Sequence, residues 1–285
     1  MTWRAVPVLI ALGLLPPSVA LAQTDGQATQ RGAAWLESLS ISSVGQQADA
    51  LVALAAAGRP RQSLQPRLAT MSGSASSYAT TAGASAKVVL GTVAAGGNPR
   101  DLGGVDYIQR IERRYSAGRY GATAYDQAYA MLGLRAAGAP VPRGALTALR
   151  AARGAGGWGF SLRKASPDDL SATGLVIEAM RAAGVARSDG ALRSATTWLT
   201  AQANARGGYH IDGRRRPTEA NSTAIAIRAL RAMGRTPSAA TRRALRGLQE
   251  ADGGFRFTAK TRESRLLATV DAVLALAGRR LPPPY

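Results

Sequence analysis

The feature that most limits how this chain can fold is a glycine that ends a helical segment six times over. Gly58, Gly96, Gly138, Gly184, Gly234 and Gly278 each close an Ala-rich apolar stretch (ALVALAAAG, VVLGTVAAG, MLGLRAAG, VIEAMRAAG, IAIRALRAMG, AVLALAG), at spacings of 38, 42, 46, 50 and 44 residues. A residue just past a helix end often needs a positive φ, which glycine adopts without a Cβ penalty. In three repeats an arginine (Arg135, Arg181, Arg231) stands three residues before the glycine, where a cation meets the negative end of a helix dipole. Ahead of each apolar helix, the spacing of apolar residues predicts a second, more polar one, over about 27–39, 60–71, 100–114, 143–153, 188–204 and 237–250. Pro60, Pro99, Pro142 and Pro237 fall in the short connections, where proline suits a turn or a first helical turn.

No run alternates as a strand would. Six pairs, each with a polar outer and an apolar inner helix, predict an all-α fold, an α6/α6 toroid in two concentric layers. Each pair stacks on its neighbours, and closing the ring removes the exposed ends an open array must cap. The second repeat, MSGSASSYATTAGASAKVVLGTVAAGG, is the weakest copy. Its Ser, Gly and Thr content lowers helix propensity and predicts loose order there.

Residues 1–22 read as a signal peptide. Arg4 precedes the apolar run AVPVLIALGLL, Pro16 and Pro17 break it, and Ala20-Leu21-Ala22 gives a small-x-small cleavage pattern. The run is about half of the roughly 20 residues that span a bilayer, and no other stretch is a candidate for a membrane span. The expectation is an exported protein whose mature chain, 23–285, is the toroid. With no cysteine, a disulfide framework, thiol catalysis and Cys-based metal sites are excluded. The formal charge of +19 is nearly all arginine and points to anionic partners such as cell-surface polymers. The arginines are spread along the chain, with one tight run at Arg214-Arg215-Arg216, so solvated faces account for most of them. Nucleic acid is not an expected partner of an exported chain.

Within the repeat, LRGLQEADGGFRF carries Gln249, Asp252, Gly253, Gly254 and Phe255 in the order Gln–Asp–Gly–Gly–aromatic. WLTAQANARGGYHID, Tyr107-Ile108-Gln109 with Gly118-x-Tyr120-Gly121, and Gly156-Gly157-Trp158 are partial copies. This pattern resembles the repeat of the squalene cyclase and protein prenyltransferase superfamily, most clearly over 101–278. The resemblance implies the α6/α6 toroid and leaves function open, because that repeat serves enzymes and binding proteins alike.

The chemistries that the resemblance implies find few residues here. Prenylation needs a zinc held by Asp, Cys and His, whereas this chain has no cysteine and one histidine, His210. Protonation-driven cyclisation needs a D-x-D-D-T-A motif whose central acid is kept neutral. In register with Thr173, that motif falls on Asp169-Leu170-Ser171-Ala172, so Ser171 stands at the donor position. The D-D-x-x-D pattern fails at Ala172, after Asp168-Asp169. Glycan cleavage needs two facing carboxylates. Fifteen residues before the stop glycines stand Ser43, Thr81, Thr123, Asp169, Glu219 and Glu263, a series that helix N-termini prefer for capping and dipole reasons.

The remaining expectation is a non-catalytic protein that binds a small or apolar ligand at the mouth of the ring, with no cofactor and no metal. The candidate mouth residues are Tyr125, Gln127, Trp158, Asp169, Thr173, Tyr209, His210, Glu219, Asn221, Phe255 and Glu263. Trp158, Tyr209 and Phe255 recur once per repeat and have a plainer role open to them, that of pinning each loop to the barrel. The alternatives are a terpene cyclase-like or glycan-active enzyme using Asp169 or Glu219, and a cell-surface interaction module.

Overall fold

The computed structural model describes residues 23–164 and 166–279; the signal-peptide reading at 1–22 lies outside them. The described residues form twelve helices in six pairs. The outer helices are α1 (Asp25–Glu37), α3 (Arg61–Tyr78), α5 (Tyr107–Glu112), α7 (Arg143–Ala152), α9 (Gly190–Ala201) and α11 (Ala239–Arg246). The inner helices are α2 (Val44–Ala56), α4 (Ala82–Ala94), α6 (Ala124–Ala136), α8 (Leu170–Ala182), α10 (Ala220–Ala232) and α12 (Arg265–Leu276). Each inner helix packs against the next, and α12 packs against α2, so the ring is closed. Only isolated β-bridges join the described loops.

All six stop glycines have φ between 71° and 89°, the left-handed conformation expected of them. Small residues let the inner helices approach closely. A Cβ built on Gly91 of α4 would lie 2.8 Å from Ala48 of α2, and one on Gly133 of α6 would lie 2.9 Å from Ala86 of α4. The arginines before the glycines do more than meet a dipole. Arg135 Nε donates to the Ala182 carbonyl at the C-terminus of α8 (3.2 Å), and Arg181 Nε to the Ala232 carbonyl at the end of α10 (3.2 Å). Arg231 reaches Ala275 of α12 in the same way. Each arginine thus satisfies an orphan carbonyl of the following repeat and ties neighbours together. The seam between the first and last repeats is held by Asp25 of α1, which takes both Arg242 and Arg246 of α11.

Three boundaries differ from the sequence reading, each for a local reason. The third outer helix is short because Gly103 and Gly104 both adopt positive φ (62° and 74°) and turn the chain before Tyr107. The second repeat is well formed: α3 has 18 residues, the longest helix described, and buries Leu64, Leu68, Met71 and Ala75 against its neighbours. Packing of that apolar stripe overrides the weak propensity of its Ser and Gly residues. In the last repeat Ser264, with φ 56°, occupies the N-cap of α12, and Glu263 lies outside the helix.

Candidate functional site

The loop aromatics set a common register for the inner helices. The backbone N–H of Trp158 donates to Thr173 Oγ1 (2.8 Å), that of Tyr209 to Thr223 Oγ1 (3.0 Å) and that of Phe255 to Thr269 Oγ1 (2.8 Å); Tyr120 N–H uses Gln127 Oε1 in the same way (2.9 Å). Thr173 and Thr223 each stand eleven residues before their stop glycine, but Thr269 stands nine before Gly278. Counting from the glycines therefore misplaces the sixth helix by two residues. In the structural register Arg265, not Glu263, corresponds to Asp169 and Glu219.

With that register the inner helices present three layers to the lumen. At the mouth are Tyr125, Ser171, Asn221 and Leu267. Four residues further along, about one helical turn, is a girdle of Asp49, Lys87, Tyr129, Leu175, Ile225 and Asp271. Deeper lie Val52, Leu90, Arg228 and Leu274. All of these line one cavity of about 350 Å³.

The girdle is charged, although the helices that carry it are otherwise Ala- and Leu-rich. Lys87 Nζ meets Asp49 Oδ2 at 2.6 Å and lies 5.5 Å from the centroid of the Tyr129 ring. Arg228 makes a two-pronged bond to Glu178 (Nε to Oε1, 3.0 Å; Nη2 to Oε2, 2.5 Å) and reaches Asp271 Oδ1 at 3.2 Å. Asn221 Nδ2 donates to Asp271 Oδ2 at 2.6 Å. Glu178 and Arg228 have side chains only 2% and 6% exposed, whereas Asp271 keeps 21% of its surface toward the opening.

Burial works against the charge of Lys87, but Asp49 and the neighbouring tyrosines hold its pKa above the usual range. Burial likewise opposes Arg228, and Glu178 and Asp271 keep it firmly cationic. Burial raises the carboxyl pKa of both Glu178 and Asp271, with Arg228 opposing the rise. The Tyr129 hydroxyl is pushed up to about 12, again by burial, with Lys87 pulling the other way. Three acids face two bases in the cluster, and Asp271 is the most exposed of the three carboxyls, 21% against 17% for Asp49 and 2% for Glu178.

No protein-family model matches the chain, and no curated protein matches its sequence. Solved structures do match. The type II terpene cyclase MstE from Scytonema aligns at TM-score 0.60 and 14% identity, over 89% of this chain and 97% of that one. The ent-copalyl diphosphate synthase from Streptomyces platensis aligns at TM-score 0.55 and 18% identity, over 82% of this chain and half of that one. A protein from Actinoplanes aligns at TM-score 0.54 and 18% identity, over 89% and 99%. The fold is the helical toroid of these terpene cyclases.

The toroid distributes the sequence-predicted residues over three places. Tyr125 and Asn221 reach the lumen; burial, with Asp169 nearby, raises the Tyr125 hydroxyl pKa. Gln127, Trp158, Thr173, Tyr209 and Phe255 are buried and satisfied within the loops, with Trp158 Nε1 donating to the Leu149 carbonyl at 2.7 Å. Asp169 caps α8 by accepting from Ala172 N at 2.7 Å, as Thr81 and Thr123 cap α4 and α6. Glu219 sits at the N-cap of α10 but accepts from Ile211 N at 3.2 Å instead of capping, and His210 Nε2 lies 3.8 Å from it. His210 Nδ1 accepts from Asp212 N. Glu263 is exposed.

Sequence reasoning missed Asp49, Lys87, Tyr129, Glu178, Arg228 and Asp271. The available signal was a charged residue inside an otherwise apolar helix, recurring at the same depth in neighbouring repeats.

Proposed function

We propose that the protein binds a small, largely apolar molecule in the lumen of the toroid. The observation that carries this reading is the cavity itself: about 350 Å³, walled by Leu175, Ile225, Leu90 and Leu274, with the paired charges of Asp49, Lys87, Arg228 and Asp271, and with Asn221 and Tyr129, as its polar set. Apolar walls with a few placed polar groups are what small-molecule sites present. A prenylated molecule fits this description, and a variant of the Scytonema enzyme has been solved with geranylgeranyl dihydroxybenzoate. Export through the 1–22 leader is part of the proposal; N-terminal sequencing of the protein from its host tests it, with Gln23 as the expected first residue.

Native mass spectrometry of the host-purified protein tests the binding. An added mass that disappears on unfolding, and that Leu175→Trp abolishes by filling the lumen, supports the reading. A ligand-free mass that persists after incubation with host lipid extract refutes it.

One observation favours a second reading, that of a terpene cyclase-like enzyme. Asp271 is a carboxyl whose pKa is raised by burial and which shares the cavity with Leu175, Ile225 and Leu274, where an alkene would meet a proton donor. Gas chromatography of products from linear polyprenols tests this. Conversion abolished by Asp271→Asn, but not by Asp252→Asn on the exterior, would establish it; unchanged substrate excludes it for that class.

A further inference from the structure

Among the described residues three large apolar side chains stay exposed, Phe160 (59%), Ile211 (46%) and Leu267 (38%), and all three lie at the same end of the ring. Phe160 and Ile211 belong to two loops whose bases are tied shut. Asp169 N–H donates to the Trp158 carbonyl at 2.9 Å and Glu219 N–H to the Tyr209 carbonyl at 2.8 Å, so the described residues between 158 and 169 and residues 210–218 are loops closed at the inner-helix N-termini. The Phe160 carbonyl accepts from Ala124 N at the first residue of α6 (2.8 Å), which fixes that loop on the rim. The Phe160 ring lies 5.6 Å from Tyr125, a residue of the lumen mouth. Leu267, in the first turn of α12, lines the cavity directly.

The same rim is basic. Arg163 and Lys164 are exposed on the first loop, Arg214, Arg215 and Arg216 on the second, and Lys260 and Arg262 ahead of α12. The exposed acids on these three segments are Asp212 and Glu263. Apolar side chains set among cations at the entrance to an apolar-walled cavity fit one kind of partner. An anionic polymer would answer the charge but offer no place for Phe160 and Ile211, whereas a bilayer provides anionic headgroups above hydrocarbon.

We propose that this rim docks the toroid on a lipid bilayer carrying anionic headgroups, with Phe160 and Ile211 entering the acyl boundary and the arginines at headgroup level. The protein then lies on the membrane without spanning it, and the lumen opens toward the lipid. No helix among the described residues is long and apolar enough to cross a membrane. The docking needs no ligand in the lumen, so it stands apart from the binding reading above.

The chain has no cysteine, so a single introduced one reports its own surroundings. Ile211→Cys and, as a control on the outer helix α9, Thr197→Cys are labelled with an environment-sensitive fluorophore. They are then mixed with vesicles of phosphatidylcholine alone or with phosphatidylglycerol. The expected result is binding to the anionic vesicles, with a blue shift and intensity rise at position 211 and none at 197. Changing Arg214, Arg215 and Arg216 together to Gln weakens binding by roughly fivefold per charge at low salt. Phe160→Asn with Ile211→Asn abolishes the part of binding that survives high salt, while the circular dichroism spectrum is retained. Three outcomes overturn the proposal: no vesicle binding, binding with no spectral change at 211, or equal retention by a soluble polyanion such as heparin that is insensitive to Phe160→Asn and Ile211→Asn.

Discussion

Arg228→Met tests how the lumen cluster is held together. The substitution keeps much of the side-chain volume and removes the cation that answers both Glu178 and Asp271. Glu178 is 2% exposed and its two oxygens are bonded to Arg228 at 3.0 and 2.5 Å, so the variant strands a carboxylate with nowhere to turn for water. Breaking a buried pair from one side costs about 3–5 kcal/mol. For a chain of this size that corresponds to a fall in Tm of about 10 °C.

The pH dependence has a definite sign. Burial raises the folded-state pKa of Glu178 and Asp271, and Arg228 opposes that rise. Without Arg228 the folded-state values go higher still. A carboxyl with a raised folded pKa holds a proton that the unfolded chain has already lost, so stability falls as pH rises from the unfolded value, about 4, toward the folded one. Urea unfolding followed by circular dichroism at pH 5 and 7.5 therefore finds a smaller deficit at pH 5. Glu178→Met added to Arg228→Met recovers most of the loss, because the charge it would have stranded is gone. A deficit below about 1 kcal/mol, or one equal at both pH values, would refute the reasoning by showing that water reaches the carboxylates freely.

Two further outcomes follow from the repeat itself. Thr223→Val keeps the shape but removes the oxygen that accepts from Tyr209 N at 3.0 Å, and the stranded amide costs about 1–3 kcal/mol by chemical denaturation. Arg135→Ala frees the Ala182 carbonyl at the end of α8 and costs about 0.5–1.5 kcal/mol, with faster amide exchange at the α6–α8 junction than elsewhere.

The fold was legible because its two strongest local signals are independent of each other. A glycine that must take positive φ marks each inner-helix end, and the Gln–Asp–Gly–Gly–aromatic segment, whole at 249–255 and partial in the three repeats before it, marks the entry loops of the last four. Gln249 shows why that segment recurs: its amide donates to the Ala28 carbonyl at 2.9 Å and to the Gly253 carbonyl at 2.8 Å, closing the last loop onto the first repeat. The cavity was less legible for the same reason. Residues that recur most visibly, such as Trp158, Tyr209 and Phe255, recur because they hold loops, and holding a loop means being buried away from a ligand. Lumen residues need not resemble each other. Asp49, Lys87, Tyr129, Leu175, Ile225 and Asp271 share a depth but no chemistry, and the two-residue offset of the sixth helix hides Asp271 from any count made from Gly278.

The charges of the lumen bear on what the ring is for. Buried ion pairs are weak stabilisers, and replacing one by apolar side chains of similar volume is often neutral or stabilising by about 1–4 kcal/mol. A toroid that needed only to close could fill its centre with Leu and Met, as its own α2 and α6 do on their other faces with Leu51, Leu54 and Met131. This chain instead sets Asp49 against Lys87 and Glu178 against Arg228, and leaves Asp271 facing the opening. A variant with Asp49→Leu, Lys87→Leu, Glu178→Met, Arg228→Met and Asp271→Leu therefore unfolds at a urea midpoint no lower than the parent, while the added mass that the parent retains in native mass spectrometry is lost. A variant that is markedly less stable yet keeps its ligand would assign the cluster to the fold, and would move the binding determinants up to the mouth residues Tyr125 and Asn221.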